Sequence, residues 1–508
     1  MSRLRGWWKS EAGGAVRAGL ATALCMSAGL VLVAQIAAEA GAYFPAVYVV
    51  AAALSALGTL ALGRRGAAVA LGPDLMTAGW LFALLVISHG LTLGQLYALS
   101  ATVAFLVCIA AFTGVASRIV RAVPLCIRQA LPLALGAMMV LWGLERGRLL
   151  LASPVHLVML GDFADPLAYF SLLGIVVMLG LCAMKFYAGD AQQTPPPLGE
   201  GDREAVERVA QVRDSRLYRK DRESHQTSPS PPRMRSAPPP EGEALGKCVG
   251  LGLLVTAALS FIEGFWIIPP APFYAPEGLD RSVGLFLLAG EGDAKALATM
   301  IATLPWLFLV MILNFWGTWQ ALGTSNVIGA NGTPGMQRRD ATAEPSLPSK
   351  RPLCLAAAMN LLAALCGMTP MTAAPESAMA GEAGRARPQA YAVGAAAGLL
   401  FLMCAAPLAK ELASFPAMLV PCVVVAGLFL LLRTQLVWSA FDLAERTAVV
   451  VLVVIVPLTY DMALGLSIAT VAYVLLKVLS NRTEDITRTM RILAAFVVLI
   501  VFFDAWLF

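Results

Sequence analysis

Long apolar segments separated by short polar ones recur along the chain from Val16 to the C-terminus. Most are close to the ~20 residues that a helix needs to cross the hydrocarbon core of a bilayer. A last apolar segment, Ile492 to Phe508, either spans the membrane or lies along its surface. The pattern therefore predicts an all-α polytopic membrane protein of about 14 transmembrane helices, at 16–36, 44–62, 67–88, 95–114, 126–144, 167–187, 247–268, 297–321, 352–367, 370–384, 388–407, 414–432, 445–459 and 462–479.

The composition agrees with a membrane protein and excludes several other classes. Of the 508 residues, 58% are hydrophobic and only 14% are charged, whereas soluble proteins carry about 25% charged residues. The nine cysteines form no C-x-x-C pair and the three histidines share no ligand-like spacing, so neither a disulfide framework nor a metal site is predicted. We find no phosphate-binding loop and no catalytic nucleophile motif. The sequence predicts no enzyme, no cofactor and no nucleic-acid partner.

The distribution of basic residues predicts the orientation. Loops on the side of residues 1–15 hold most of the Lys and Arg between the predicted spans, which makes that side cytoplasmic. Residues 188–246 combine Pro, Ser and mixed charge, a composition that cannot bury enough apolar surface to fold alone. We interpret this segment as a disordered cytoplasmic linker. It separates spans one to six (16–187) from span seven (247–268) and from spans eight to fourteen (297–479), and 480–508 forms a tail with an apolar terminal helix.

Two predicted spans are interrupted in a similar way. They read VALGPDLMTAGW (Val69–Trp80) and TPMTAAPESAMAG (Thr369–Gly381), and each places an acid directly after a proline, at Asp74 and Glu376. Proline suits the first position of a helix, and a following acid faces the partial positive charge of the helix N-terminus. Matching broken helices in two halves of a chain indicate the binding site of a transporter near the bilayer midplane. A proline kink with a carboxylate that reaches the membrane interface would explain either segment alone. It explains less well why both segments occur at corresponding places in the two halves.

These segments resemble the nucleobase–cation symporter-2 family (nucleobase–ascorbate transporters) in its adenine/guanine/hypoxanthine permease branch. The resemblance also rests on GGAVRAGLATALCMSAGLVLVAQ, RAVPLCIRQALPLALGAMMVLWGLERGRLLLASPVHLVMLGDF and PLTYDMALGLSIATVAYVLLKVL. It implies two inverted seven-helix repeats, with a core domain (spans 1–4 and 8–11) and a gate domain (spans 5–7 and 12–14). Spans 3 and 10 would each begin as a short strand and continue as a half helix. The implied function is proton-coupled uptake of a purine nucleobase across the plasma membrane by alternating access, in a chain that also forms homodimers.

The resemblance also implies a set of site residues. Glu376 falls on the family's tenth-span glutamate, in a Glu-Ser-Ala context that is kept here, and would hydrogen-bond the base. The run ILNFWGTW places Asn314 where the family has an acid, and an amide cannot take up or release a proton. Proton coupling would then pass to Glu376 or Asp74, although Asp74 is equally well interpreted as a helix cap. The predicted substrate-binding residues are Glu376, Asn314, Asp74, Ser377 and Thr318, with Trp316 to stack on the base.

Two other functions remain open at this point. An anion carrier on the same general fold would use the two half-helix N-termini, which suit an anion, but Asp74 and Glu376 would repel it. A transport-silent sensor or scaffold would signal through the 188–246 linker.

Overall fold

The computed structural model describes residues 10–152, 158–192, 241–274, 279–290, 294–329, 350–434, 436 and 438–507. The first half contains α1 (Glu11–Glu39), α2 (Phe44–Gly63), β1 (Leu71–Pro73), α3 (Leu75–Trp80, continued by a π-helix over Leu81–Ser88), α4 (Leu93–Thr113), α5 (Val115–Arg121), α6 (Leu125–Arg146), β2 (Leu150–Ala152), β3 (Val158–Leu160), α7 (Pro166–Gln192) and α8 (Glu241–Ile262). The second half contains α9 (Ala294–Gly329), α10 (Lys350–Leu365), β4 (Met371–Ala373), a 3₁₀ turn (Pro375–Ala380), α11 (Gly381–Ala386), α12 (Pro388–Cys404), α13 (Ala406–Ser414), α14 (Val420–Arg433), α15 (Leu443–Thr459), α16 (Met462–Leu479) and α17 (Arg488–Leu507).

The prediction of an all-α polytopic protein is confirmed. Seven of the described helices are long and apolar enough to cross a membrane, and the bent pair α12–α13 makes an eighth. Four shorter apolar helical segments add to these, at Leu75–Ser88, Val249–Ile262, Arg351–Leu365 and Pro416–Leu432. The helices begin and end within a few residues of most predicted spans, because the length of an apolar run is itself the constraint that the bilayer imposes.

The two halves are related as inverted repeats through the pairing of β1 with β4. These strands are antiparallel, with Gly72 opposite Thr372. A two-fold axis through this pair relates Leu71 to Met371, so that at the strands and in the turns next to them each position is equivalent to the one numbered 300 higher. The helix contacts follow the same symmetry. The packing of α2 on α12 is matched by that of α10 on α4, and the packing of α7 on α8 by that of α15 on α16.

The helices form two groups that meet around the strand pair. We call α1, α2, α4, α9, α10 and α12, with the strands and half helices, the core group; α6, α7, α8, α14, α15 and α16 are the gate group. Within the core group, α1 and α12 cross at closest approach through Gly19 and Gly394. A Cβ atom at Gly19 would lie 2.2 Å from the Tyr391 carbonyl oxygen, and one at Gly394 would lie 2.2 Å from the Val16 carbonyl oxygen. Glycine at both positions lets the two backbones touch.

The C-terminal apolar segment runs alongside α16. It forms α17, which packs on α16 and α9. The connection from the end of α16 is short, and Ile500 reaches a cavity that is also lined by Asp461 and Leu464, at the start of α16. Helix α17 therefore runs antiparallel to α16 over most of its length. One face of α17 is buried, through Met490, Leu493, Ala494, Val497 and Ile500.

A charged cluster fixes the connection between α16 and α17. The buried ammonium of Lys477 donates to Asp442 and to Asp485, each at 2.7 Å. Burial raises the pKa of Asp442, but hydrogen bonds from Lys477 and from the Glu445 backbone lower it more, so the pKa lies below its usual range. Asp442 is thus held as an anion at the N-cap of α15, and it ties that helix to the end of α16.

The predicted linker lies largely outside the described residues. Helix α7 extends to Gln192 and α8 begins at Glu241, so regular structure replaces both ends of the predicted 188–246 segment. Residues 193–240 are outside the described residues, as are residues 1–9 of the predicted cytoplasmic N-terminus.

Candidate functional site

The strand pair β1–β4 is held by hydrogen bonds that repeat across the two-fold axis. The Asp74 N–H donates to the Pro370 carbonyl at 2.8 Å, and the Ala374 N–H donates to the Ala70 carbonyl at 2.9 Å. Helices α2 and α10 each contribute one side chain to the outer edge of a strand. Thr59 Oγ1 accepts from the Leu71 N–H at 3.0 Å, and Asn360 Oδ1 accepts from the Met371 N–H at 2.6 Å. Every backbone polar group at bilayer depth needs such a partner, so these side chains allow two short strands to exist there.

The two acids that follow prolines do not occupy equivalent positions, which corrects the sequence-based correspondence. The strand register makes Asp74 equivalent to Ala374 of the other repeat, and Glu376 equivalent to Met76. Asp74 is the N-cap of α3, whereas Glu376 lies in the first turn of its own half helix.

Asp74 is engaged in a closed hydrogen-bond network. Its carboxylate accepts from the Thr77 N–H, from the Thr77 hydroxyl and, at 2.8 Å, from Asn314 Nδ2. Asn314 Nδ2 also donates to Thr77 Oγ1 at 3.1 Å, and Asn314 Oδ1 accepts from the Ala463 N–H at 2.8 Å. Both donors of Asn314 are therefore used within the protein. Because Asn314 belongs to α9 and Ala463 to α16, this network joins the core group to the gate group.

Pro370 explains why Thr77 takes part in this network. Ser377 is the equivalent of Thr77, and Ser377 Oγ accepts from the Ala70 N–H at 2.9 Å. Pro370 is the equivalent of Ala70 and has no N–H to offer. The Thr77 hydroxyl is thereby left for Asp74 and Asn314. Ser377 supports the opposite strand and is not among the residues that line the central cavity described next.

A central cavity of about 80 Å³ lies where the two half helices meet. Its described lining residues include no Lys, Arg or His; they are Met26, Gly29, Gly72, Pro73, Asp74, Leu75, Met76, Leu135, Met138, Met139, Trp142, Asn314, Thr318, Thr372, Ala374, Pro375, Glu376, Val423 and Met462. Among the described residues, the carboxylate of Glu376 accepts a hydrogen bond only from its own backbone N–H. Glu376 is thus the acid that faces the cavity with acceptor capacity to spare.

Of the other predicted site residues, Thr318 lines the central cavity and Trp316 does not. The Thr318 hydroxyl donates to the Asn314 carbonyl at 2.7 Å. The Trp316 side chain is 0% exposed within the apolar core. The aromatic ring at the cavity is instead Trp142 of α6, which sequence reasoning missed. The sequence contained one indication of this role, since Trp142 shares one face of α6 with Met138 and Met139. Such an apolar face is equally typical of a helix that packs in the core, so it does not predict a cavity.

A larger vestibule of about 590 Å³ adjoins the central cavity. The two cavities share Leu75, Met76 and Trp142 as walls. The remaining described residues of the vestibule are Ile36, Thr77, Gly79, Trp80, Arg146, Trp306, Val310, Thr459, Tyr460, Asp461, Leu464 and Ile500. The vestibule lies at the end of α6 and the start of α16.

Two buried thiols meet beside the central cavity, at the contact between the two groups of helices. Cys25 of α1 and Cys422 of α14 are both buried, and their side chains are neighbours. Their chain neighbours Met26 and Val423 line the central cavity.

Comparisons with known proteins give only distant structural similarity. No family model matches the chain, and a search of the curated proteins finds no match. The transmembrane domain of a cyanobacterium bicarbonate transporter, BicA, is similar with 13% sequence identity and a TM-score of 0.48, over 92% of this chain and 97% of that chain. The structure of SLC26A9 is similar with 10% identity and a TM-score of 0.46, over 91% of this chain and 65% of that chain. Similarity of this size says nothing about what the present chain binds.

Proposed function

We propose that this chain transports a neutral, planar solute of the nucleobase class, purines first, by alternating movement of the core group against the gate group. The observation that carries the proposal is the carboxylate of Glu376, which faces the central cavity at the meeting point of two half helices with its acceptor capacity largely unused among the described residues.

The charges of the central cavity favour a neutral solute over an anion. Each half-helix N-terminus contributes at most about half of a positive charge, and the cavity holds the two carboxylates Asp74 and Glu376. No described lining residue carries a compensating positive charge. An inorganic anion would enter against this charge, whereas a base would donate its N–H groups to Glu376.

The walls suit a flat ring. Methionines and Trp142 supply the apolar surface, and stacking of a base on an aromatic side chain stabilises a complex by roughly 1–3 kcal/mol where it has been measured. At ~10–15 Å³ for each water, the cavity has room for about five to eight waters. A bicyclic base would therefore extend toward Trp142 and the vestibule.

In this proposal Glu376 is the residue that takes up and releases the coupled proton. Asp74 is fully engaged as an acceptor and Asn314 cannot exchange a proton. We further propose that the chain lies in the plasma membrane as a homodimer. Its N-terminus and the 188–246 linker would face the cytoplasm.

The test is uptake by cells that lack their own purine carriers. Labelled adenine, guanine and hypoxanthine are compared with labelled bicarbonate and sulfate, with and without a protonophore. The variant Glu376→Gln is matched with Glu263→Gln, which changes an exposed acid away from both cavities. We expect saturable uptake of at least one base that Glu376→Gln abolishes and Glu263→Gln preserves. Uptake of an anion instead would overturn the proposal, and no uptake from protein at the cell surface would favour a transport-silent sensor.

A further inference from the structure

We infer that the vestibule is a second binding site, which holds the same planar solute before it enters the central cavity; this inference rests on the proposed function. The vestibule has about seven times the volume of the central cavity, at 590 Å³ against 80 Å³. It is therefore large enough to admit a base without any movement of its walls.

The lining of the vestibule is unusually aromatic. Trp80 of α3, Trp142 of α6, Trp306 of α9 and Tyr460 between α15 and α16 all face it. Aromatic residues at a membrane interface ordinarily face the lipid, but these four rings come from four different elements and line one cavity. Flat faces from several directions suit a ligand that stacks.

Tyr460 is held in place by the structure around it. Its backbone has φ +53°, in the left-handed region that side chains other than glycine rarely adopt. Its hydroxyl donates to the carboxylate of Glu145 on α6. Backbone strain of this kind persists where neighbouring contacts impose it, and it is concentrated at ligand sites. The Tyr460 ring is thus held at the vestibule wall by its backbone on one side and by its hydroxyl on the other.

Polar groups of both signs complete the vestibule. Asp461 Oδ1 accepts from the N–H groups of Ala463 at 2.8 Å and Leu464 at 3.2 Å. Its Oδ2 receives no hydrogen bond from a described residue, which leaves an acceptor at the cavity. Arg146 supplies donors at the same wall. Their charges offset each other, so the vestibule offers a donor, an acceptor and flat apolar faces, which match the edges and faces of a nucleobase.

Trp142 lies between the two sites. It lines both cavities and its side chain is 7% exposed. A base stacked in the vestibule reaches Glu376 by passing Trp142 and the shared wall of Leu75 and Met76. The two sites are therefore sequential on one route.

The experiment measures equilibrium binding of labelled hypoxanthine and adenine to the purified full-length chain in lipid nanodiscs. We expect two sites per chain. Glu376→Gln should remove the central site and leave the vestibule site. Trp306→Ala should weaken the vestibule site at least tenfold and leave the central site. Trp306→Phe, which keeps a ring, should retain most of the vestibule binding, and Trp438→Ala, which removes an exposed tryptophan outside both cavities, should change neither.

The outcomes separate this inference from the proposed function. A single site per chain that Glu376→Gln abolishes would overturn the vestibule site and leave the transport proposal standing. Two sites that both persist in Trp306→Ala would also overturn the assignment to the vestibule. Absence of binding by any base, from protein shown to be folded by its thermal transition, would overturn both.

Discussion

Thr77 and Ser377 occupy equivalent positions in the two repeats, and their hydroxyls have different partners. Ser377 Oγ accepts from the backbone N–H of Ala70 in the opposite repeat. Thr77 would meet Pro370 in the same way, but a proline has no N–H, and its hydroxyl bonds Asp74 and Asn314 instead. One proline thus makes the strand pair asymmetric, because one hydroxyl supports a strand N–H and the equivalent hydroxyl joins the Asp74–Asn314 network.

Replacing Ser377 by Ala should destabilise the fold. The Ala70 N–H would lose its partner at a buried position, which costs about 1–3 kcal/mol. Ser55→Ala is the matched control, because the buried Ser55 hydroxyl has no hydrogen-bond partner among the described residues and its removal should cost little. Thermal unfolding of the two variants in one detergent compares them, and equal stability would show that the Ala70–Ser377 bond is unimportant.

Replacing Asn314 by Asp should make transport dependent on pH. The new carboxylate would lie about as close to Asp74 as the amide nitrogen does now, at 2.8 Å, and two carboxylates at that distance cannot both be ionised. One of them must hold a proton, so uptake should be reduced at alkaline pH and recover as the pH falls. The natural chain, with a neutral amide at this position, is the reference. A pH profile that the substitution leaves unchanged would contradict the Asp74–Asn314 contact.

Two glycines of α1 should respond differently to substitution. A Cβ atom at Gly19 would lie 2.2 Å from the Tyr391 carbonyl, whereas one at Gly29 meets no atom within 4 Å and Gly29 lines the central cavity. Overpacking of a tight contact costs about 1–3 kcal/mol, so Gly19→Ala should lower the thermal stability. Gly29→Leu should leave stability nearly unchanged and impair base uptake by filling the cavity. Normal uptake by Gly29→Leu would place the solute elsewhere.

Oxidation should join the core group to the gate group at Cys25 and Cys422. Their thiols are in contact, and copper phenanthroline would accept the two electrons released as the disulfide forms. If the groups must move past each other, the cross-linked chain should lose uptake, and a reductant should restore it. Cys422→Ser should be insensitive to the oxidant. Full uptake by protein that mass analysis shows to be cross-linked would exclude movement at this contact.

The apolar pattern predicted the helices well and the half helices in part. Span positions follow from local apolar length, and Pro375 begins its 3₁₀ turn as expected, whereas Pro73 ends β1 two residues before α3 begins. The equivalence of the two acids was wrong, because the similarity of two short motifs does not contain the register in which strands pair. That register is set by contacts between residues far apart in the chain, such as Ala70 with Ser377.

The identity of the aromatic ring at the site could not be predicted either. Trp316 and Trp142 both lie in helices that are apolar on most faces, and such helices give little indication of which face turns inward. The hydrogen-bond partners of Asn314 could not be predicted either, because Asp74 and Ala463 lie 240 and 149 positions away in the chain. The sequence placed Asn314 at the site, and only the fold shows that its amide is already bonded.

The transport proposal is tested most directly by a cryo-EM map of the full chain at saturating hypoxanthine or adenine. We expect planar density in the central cavity within hydrogen-bonding distance of the Glu376 carboxylate, and we expect this density to be absent from the map of Glu376→Gln under the same conditions. A central cavity that contains no base in the natural chain, or that holds an inorganic anion, would overturn the proposal.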